Sequence, residues 1–319
     1  MLRRAGLGLA LVLAPAGFLA LPAQAPAASA PTVAELPIVP RIDAAMKERL
    51  RAVVAHGRLR GNRATVFAKV GDSITAGSAF LAALDCDVRP VWGIYGRLQA
   101  TVDHYRRTEV GGSSVPCEPA TSFGRASLAA VPGWKVDDAL AIPGGRPHAP
   151  CRDGESRLQC EYRVLRPAVA IVMYGTNDLE MAADPAHFRA ELRELVQTSV
   201  EAGVVPVLST IPPRLDRRRM GRRVAAYNMA IAQVARKMQV PLLNYWRSLQ
   251  GPRVIRFGLS EDGVHPEVFG RCAPDCHSLD FGRRGLRYGV NLRNLTALQA
   301  LHKVRRVVLR DGDPDPPRR

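Results

Sequence analysis

Three residues in two short segments carry the side chains that could together hydrolyse an ester. A serine hydroxyl becomes a nucleophile when a histidine accepts its proton, and a carboxylate orients that histidine and stabilises its charged form. Ser73 stands in a Gly-Asp-Ser segment, while Asp262 and His265 stand in an Asp-x-x-His segment. We therefore predict a catalytic triad of Ser73, His265 and Asp262.

Two further segments offer hydrogen-bond donors for an oxyanion. The tetrahedral intermediate of acyl transfer carries negative charge on one oxygen, and donors aimed at that oxygen lower the barrier. The side-chain amide of Asn177 and the backbone N–H groups of Gly133 and Ser73 are the predicted donors. Ala130, three residues before Gly133, is the alternative to Gly133 as a backbone donor. The predicted oxyanion hole is thus Ser73, Gly133 and Asn177.

The order of these segments resembles the blocks of the SGNH (GDSL) hydrolase family, whose name lists a serine, a glycine, an asparagine and a histidine. Each motif alone arises often by chance, so their order and flanking pattern carry the resemblance, which spans residues 66–266. It implies a serine esterase that forms an acyl-Ser73 intermediate. We expect neither a metal nor an organic cofactor.

Short apolar runs that alternate with amphipathic stretches predict an α/β domain with a largely parallel sheet. The predicted strands are residues 65–70, 126–131, 168–174, 204–208 and 242–245. Apolar residues at helical spacing predict helices around residues 94–105, 184–203 and 224–238. Five strands fit the flavodoxin-like three-layer sandwich that the resemblance implies, with a five-stranded, mainly parallel sheet.

The predicted strand ends bring the candidate site together. Ligands of such sheets bind beyond the carboxyl ends of the strands. Ser73 follows the first predicted strand, Gly133 the second and Asn177 the third, whereas Asp262 and His265 lie in a loop after the fifth. Residues far apart in the chain are therefore expected to converge at one edge of the sheet.

The beginning of the chain has the pattern of a secretory leader. Residues 5–34 carry no charge and follow Arg3 and Arg4, and the stretch ends in small residues. This pattern predicts a signal peptide and a secreted or periplasmic protein with no stable membrane span after cleavage. An uncleaved membrane anchor is the alternative, because the run is long enough to span a bilayer. The predicted organisation is residues 1–30 signal peptide, 31–60 N-terminal extension, 61–310 hydrolase domain and 311–319 disordered tail.

The six cysteines of the chain predict disulfide bonds, because an exported protein meets an oxidising compartment. Closeness in sequence favours three pairs: Cys86–Cys117, Cys151–Cys160 and Cys272–Cys276. The alternative is a metal site of Cys272, Cys276 and His277. It lacks a fourth ligand at a usual zinc spacing, so no metal is predicted.

The formal net charge of +16 would attract anionic partners. No nucleic-acid-binding motif accompanies the charge, so no nucleic acid is expected, and the candidates are lipid head groups, envelope polysaccharide and uronic-acid polymers. Arg217, Arg218 and Arg219 follow the fourth predicted strand and are predicted to bind an anionic group of the substrate. A solvated surface with no partner is the alternative for these charges.

The sequence is compatible with three functions. An O-acyl or O-acetyl ester of a polysaccharide is the first candidate. A lysophospholipase or thioesterase acting on lipid is the second candidate. The third candidate belongs to a different functional class: a catalytically inactive domain that binds carbohydrate or lipid. Because all the polar site positions are filled, the sequence favours an enzyme.

Overall fold

The computed structural model describes residues 2, 32–86, 88–144, 149–180, 184–270 and 277–309. Apart from Leu2, the predicted signal peptide lies outside these residues, as do the tail 311–319 and the pair Cys272–Cys276. Within the described ranges, no helix is long and apolar enough to span a membrane.

Four parallel strands form the sheet of the described chain, in the order β1-β2-β3-β4. They are β1 Arg63–Gly71, β2 Pro167–Met173, β3 Val205–Ser209 and β4 Leu242–Leu243. The α-helices are α1 Ala44–Leu59, α2 Ser73–Ala76, α3 Gln99–Tyr105, α4 Val136–Leu140, α5 Arg157–Leu165, α6 Pro185–Glu201, α7 Arg218–Met238, α8 Tyr245–Ser248 and α9 Gly289–Val304. The predicted α/β class and parallel sheet are confirmed.

The second predicted strand, residues 126–131, is not a strand of the sheet, so the prediction of five strands is wrong. A single bridge joins Ala130 to the end of β1. The N–H of Leu128 donates to the buried carboxylate of Glu161 at 3.1 Å, so it does not extend the ladder. Pro132 follows and has no N–H to donate. One bridge and the side chains of Glu161 and Tyr174 therefore hold the segment in place.

Helices cover both faces of the sheet. α1, α3 and α9 pack on one side, and α5, α6 and α7 pack on the other. Every residue of β2 is buried, which is typical of a central strand covered on both faces. The result is the predicted three-layer arrangement, with four strands in its middle layer.

Local signals explain where the helices begin. Asp184 caps α6 by accepting the N–H of Ala186 at 3.1 Å, and Pro185 occupies the first helical position. The stripe predicted around residues 94–105 is divided instead into a 3₁₀ helix, Gly93–Leu98, and α3. Ile94 is 88% exposed, so it does not belong to the buried stripe.

Two of the three predicted disulfides are present, Cys86–Cys117 and Cys151–Cys160. Cys160 lies in α5, so the second bond ties the preceding loop to that helix. The first bond links two points of the long segment between α2 and α4, one before α3 and one after it. Both pairings follow the closeness in sequence from which they were predicted.

Candidate functional site

The turn at the end of β1 presents Ser73. Asp72 caps α2, and its carboxylate accepts the N–H of Ile74 at 3.0 Å. Burial raises the pKa of Asp72 to about 6. A side chain at Gly71 would collide with the Met173 carbonyl of the neighbouring strand, so only glycine fits before this cap. The Gly-Asp-Ser segment therefore fixes the turn and leaves Ser73 at its tip.

Ser73, His265 and Asp262 form one hydrogen-bonded chain. The Oγ of Ser73 lies 2.9 Å from Nε2 of His265. The Nδ1 of His265 lies 2.5 Å from Oδ2 of Asp262. This arrangement can move a proton from the serine to the histidine while the carboxylate stabilises the imidazolium.

Asp262 is held by its own loop. Its Oδ1 accepts the N–H groups of Val264 at 2.9 Å and His265 at 3.0 Å, and the hydroxyl of Ser260 at 2.7 Å. Partial burial acts to raise the pKa of Asp262, but these bonds and the His265 ring hold that pKa well below its usual range. The carboxylate is thus ionised and oriented before any substrate arrives.

Asn177 and Gly133 come from separate loops that meet. The Nδ2 of Asn177 donates to the carbonyl of Trp134 at 2.9 Å, which leaves its second N–H for another acceptor. Gly133 adopts a φ of +83° and is exposed. Asp178 accepts the N–H of Val136 at 3.1 Å and so ties the same two loops together. The loops that carry the two predicted oxyanion donors therefore contact each other, and the donor role of both residues stays a prediction.

A small cavity of about 130 Å³ opens beside the nucleophile. Its lining comes from the turn after β1, the loop of His265 and helix α9. The lining residues are Ser73, Ile74, Gly77, Ala79, Phe80, His265, Pro266, Val290, Arg293 and Asn294. Most of this surface is apolar, so the cavity suits the hydrocarbon part of an ester.

Arg293 is a site residue that the sequence analysis missed. Its buried guanidinium donates to the Ile74 carbonyl and, at 2.9 Å, to the hydroxyl of Thr75. The same group lies 3.7 Å from the centre of the Phe80 ring. Burial lowers the pKa of Arg293 to about 10, which leaves it charged at neutral pH. It braces the turn of Ser73 from a helix more than 200 residues away, and no local motif marks it.

Arg214 links the loops of Asn177 and His265. Its buried guanidinium donates to the Thr176 carbonyl at 2.9 Å and to both oxygens of Asp216 at 2.8 and 2.7 Å. The next residue, Leu215, donates its N–H to the Gly263 carbonyl at 2.8 Å. One short segment therefore contacts the loop of the predicted oxyanion donor and the loop of the predicted base.

The predicted anion-binding residues differ in their surroundings. Arg217 pairs with Glu180 and, at 3.2 Å, with Asp216. Arg218 and Arg219 are exposed and form no ion pair with the part of the chain that the structure describes. Anion binding by these three residues stays a prediction, and Arg217 already has two carboxylate partners.

The match to known families settles the class of the protein. The model of the GDSL-like lipase/acylhydrolase family matches residues 70–271, more than half of the chain. The chain belongs to this family. This GDSL-like acylhydrolase is a carboxylic ester hydrolase, so the alternative of an inactive binding domain is set aside. No curated protein matches it.

Solved structures of three hydrolases are similar to this GDSL-like acylhydrolase. A GDSL-like lipase from Bacteroides thetaiotaomicron has 14% identity over 80% of this chain and 99% of its own, with a TM-score of 0.47. A carbohydrate esterase family 3 protein from Talaromyces cellulolyticus has 15% identity over 75% and 98%, with a TM-score of 0.48. A catalytic mutant of an acetylxylan esterase from Geobacillus stearothermophilus has 15% identity over 74% and 93%, with a TM-score of 0.43.

Within the described residues of this acylhydrolase, no group of three or more His, Cys, Asp or Glu side chains could hold a metal ion. The possible ligands Cys272 and Cys276 lie outside those residues. The absence of a metal or cofactor therefore stays an expectation.

Proposed function

We propose that the protein hydrolyses short-chain carboxylic esters, in particular O-acetyl groups of a polysaccharide, through an acyl-Ser73 intermediate. The observation that carries this proposal is the cavity of about 130 Å³ that touches both Ser73 and His265. An apolar cavity of about 150 Å³ holds a molecule the size of benzene. The cavity therefore suits an acyl group of a few carbons, whereas a fatty acyl chain would have to extend beyond it.

The proposed mechanism uses the hydrogen-bonded chain in two half-reactions. Ser73 Oγ attacks the ester carbonyl carbon while His265 Nε2 takes its proton, and Asp262 stabilises the imidazolium. The oxyanion accepts hydrogen bonds from Asn177 and from the backbone N–H groups of Gly133 and Ser73. The intermediate collapses when His265 protonates the leaving alcohol, which leaves acyl-Ser73. A water molecule that gives its proton to His265 then attacks the acyl carbonyl. The acyl–Oγ bond breaks, His265 returns the proton to Ser73 Oγ, and the carboxylic acid leaves.

We also propose that the enzyme acts outside the cytoplasm. The uncharged leader supports export, and the bonds Cys86–Cys117 and Cys151–Cys160 support an oxidising compartment. A polysaccharide of the envelope or surroundings is a substrate that such an enzyme would meet.

Asn177→Ala is expected to lower kcat by roughly 100- to 1,000-fold, because it removes one oxyanion donor. The measurement is kcat and KM for p-nitrophenyl acetate. Asn177 also donates to the Trp134 carbonyl, so thermal unfolding must show that the variant stays folded. An unchanged kcat with a raised KM would mean that Asn177 only contacts the substrate.

A series of p-nitrophenyl esters from acetate to dodecanoate tests the proposed acyl size. We expect kcat/KM to be greatest for acetate or butyrate and to fall steeply for longer chains. Release of acetate from acetylated xylan, compared with fatty acid release from lysophosphatidylcholine, then separates polysaccharide from lipid. A maximum at octanoate or longer, or faster cleavage of the lipid, would contradict the proposal.

Val290 offers a direct test that the cavity holds the acyl group. Val290→Ala enlarges the cavity and is expected to raise the octanoate-to-acetate ratio of kcat/KM by roughly tenfold. Val304→Ala is the matched control, because Val304 is buried in the same helix and does not line the cavity. Equal ratios in the two variants would place the acyl group elsewhere.

A further inference from the structure

A second concave site lies between α6 and α7. It is a groove of about 470 Å³, and none of its lining residues belongs to the cavity beside Ser73. The lining residues are Arg189, Arg193, Gln233, Val234, Arg236 and Lys237. Those from α7 lie in its last two turns, which lead into β4. We call this site the α6–α7 groove.

The α6–α7 groove carries positive charge without compensation. Four of its six lining residues are cationic and none is acidic. Arg189 donates to the side chain of Gln233 at 2.8 Å across the groove. In the described part of the chain, none of the four cations forms an ion pair. A concave surface lined by one sign of charge concentrates anions.

Helix stability alone does not account for this arrangement. Arg236 and Lys237 lie in the last turn of α7, where the helix dipole favours cations. Arg189 and Arg193, however, are four residues apart within α6, and like charges at that spacing repel and destabilise a helix. The α6 pair is therefore slightly unfavourable for the helix itself, and a bound anion would offset the repulsion.

The surroundings of the α6–α7 groove favour one class of partner. A helix that inserts into a membrane surface needs exposed apolar side chains, and a platform that stacks the bases of single-stranded nucleic acid needs exposed aromatic ones. In the described chain, the exposed large apolar residues lie outside both helices: Leu2, Leu59, Val91, Ile94, Ile142, Leu215 and Phe257. Phe188 and Tyr227, the aromatic residues of α6 and α7, are buried. Arginine forks, by contrast, match carboxylate and sulfate groups.

We propose that the α6–α7 groove binds an anionic polysaccharide, through the carboxylate or sulfate groups of the polymer, at a site separate from the one that cleaves esters. Arg189 and Arg193 from one helix and Arg236 and Lys237 from the other contact successive charged sugars. The groove binds the polymer and takes no part in ester hydrolysis, which occurs at Ser73.

Fluorescence anisotropy with labelled oligogalacturonate at low ionic strength tests this proposal. The groove variant changes Arg189, Arg193, Arg236 and Lys237 to Gln. The control variant removes the same charge from exposed arginines elsewhere, namely Arg49, Arg97, Arg106 and Arg107, each changed to Gln. We expect Kd to rise at least roughly tenfold in the groove variant and less than about threefold in the control, since the local field of the groove is lost only in the first.

Other outcomes of the same experiment would overturn the proposal. Equal losses in the two variants would mean that net charge alone attracts the polymer. Tighter binding to phosphatidylglycerol vesicles or to a single-stranded oligonucleotide, lost in the groove variant, would make a membrane or a nucleic acid the partner. Unchanged hydrolysis of p-nitrophenyl acetate shows that each variant is folded, and the double variant Arg189→Gln/Arg193→Gln replaces the quadruple one if that one unfolds.

Discussion

Ser73→Ala is expected to lower kcat/KM for p-nitrophenyl acetate by about 10⁵- to 10⁶-fold, because a triad acts as a unit and leaves only oxyanion and binding contributions when its nucleophile is lost. The burst of p-nitrophenol that marks acyl-enzyme formation should also disappear. In the structure, the Oγ of Ser73 bonds only to His265 among the described residues. Thermal unfolding of the variant should therefore stay close to that of the wild type.

Ser248→Ala is a matched control for the loss of a serine hydroxyl. Ser248 donates to the Tyr245 carbonyl at 2.7 Å and lies outside the candidate site. The ester turnover of the Ser248→Ala enzyme should therefore match that of the wild type. A folded Ser73→Ala protein that kept its ester turnover would refute the acyl-Ser73 mechanism. It would leave the family assignment intact and require another nucleophile.

Asp262→Asn is expected to lower kcat/KM by about 10⁴-fold, which is less than the loss from Ser73→Ala. The amide cannot stabilise the imidazolium by charge, and its N–H group facing Nδ1 would favour the wrong tautomer of His265. The amide oxygen can still accept the N–H groups of Val264 and His265, so the loop should keep its conformation. The measurement is kcat/KM for p-nitrophenyl acetate together with the thermal unfolding midpoint.

Asp103→Asn controls for the loss of one carboxylate. Asp103 is exposed on α3 and accepts a hydrogen bond from Gln99 at 2.8 Å. If Asp262→Asn lost no more activity than this control, another group would have to orient His265.

The pKa of Asp262 also predicts how acid affects stability. Because the folded protein holds this pKa below its usual range, the ionised carboxylate adds to the free energy of unfolding at pH values above its unfolded-state pKa. That contribution is lost as pH falls through the folded-state pKa.

The sequence by itself determined the features that local physical chemistry encodes. The apolar run of β2 and the Asp184-Pro185 start of α6 depend on neighbours within a few residues. The same holds for the turn that presents Ser73, since Asp72 caps it from the adjacent position. The motifs, together with the strand ends located in this way, predicted that Ser73 and His265, 192 residues apart, would meet.

Tertiary structure decided the features that depend on distant partners. Residues 126–131 have strand-like composition, yet the Leu128 N–H donates to Glu161 and this second predicted strand does not form. Arg214 and Arg293 support the site through hydrogen bonds to residues 38 and more than 200 positions away, and such bonds leave no periodic pattern in the chain. The cavity beside Ser73 and the α6–α7 groove likewise exist only after helices pack together, because their linings combine residues that no single segment holds.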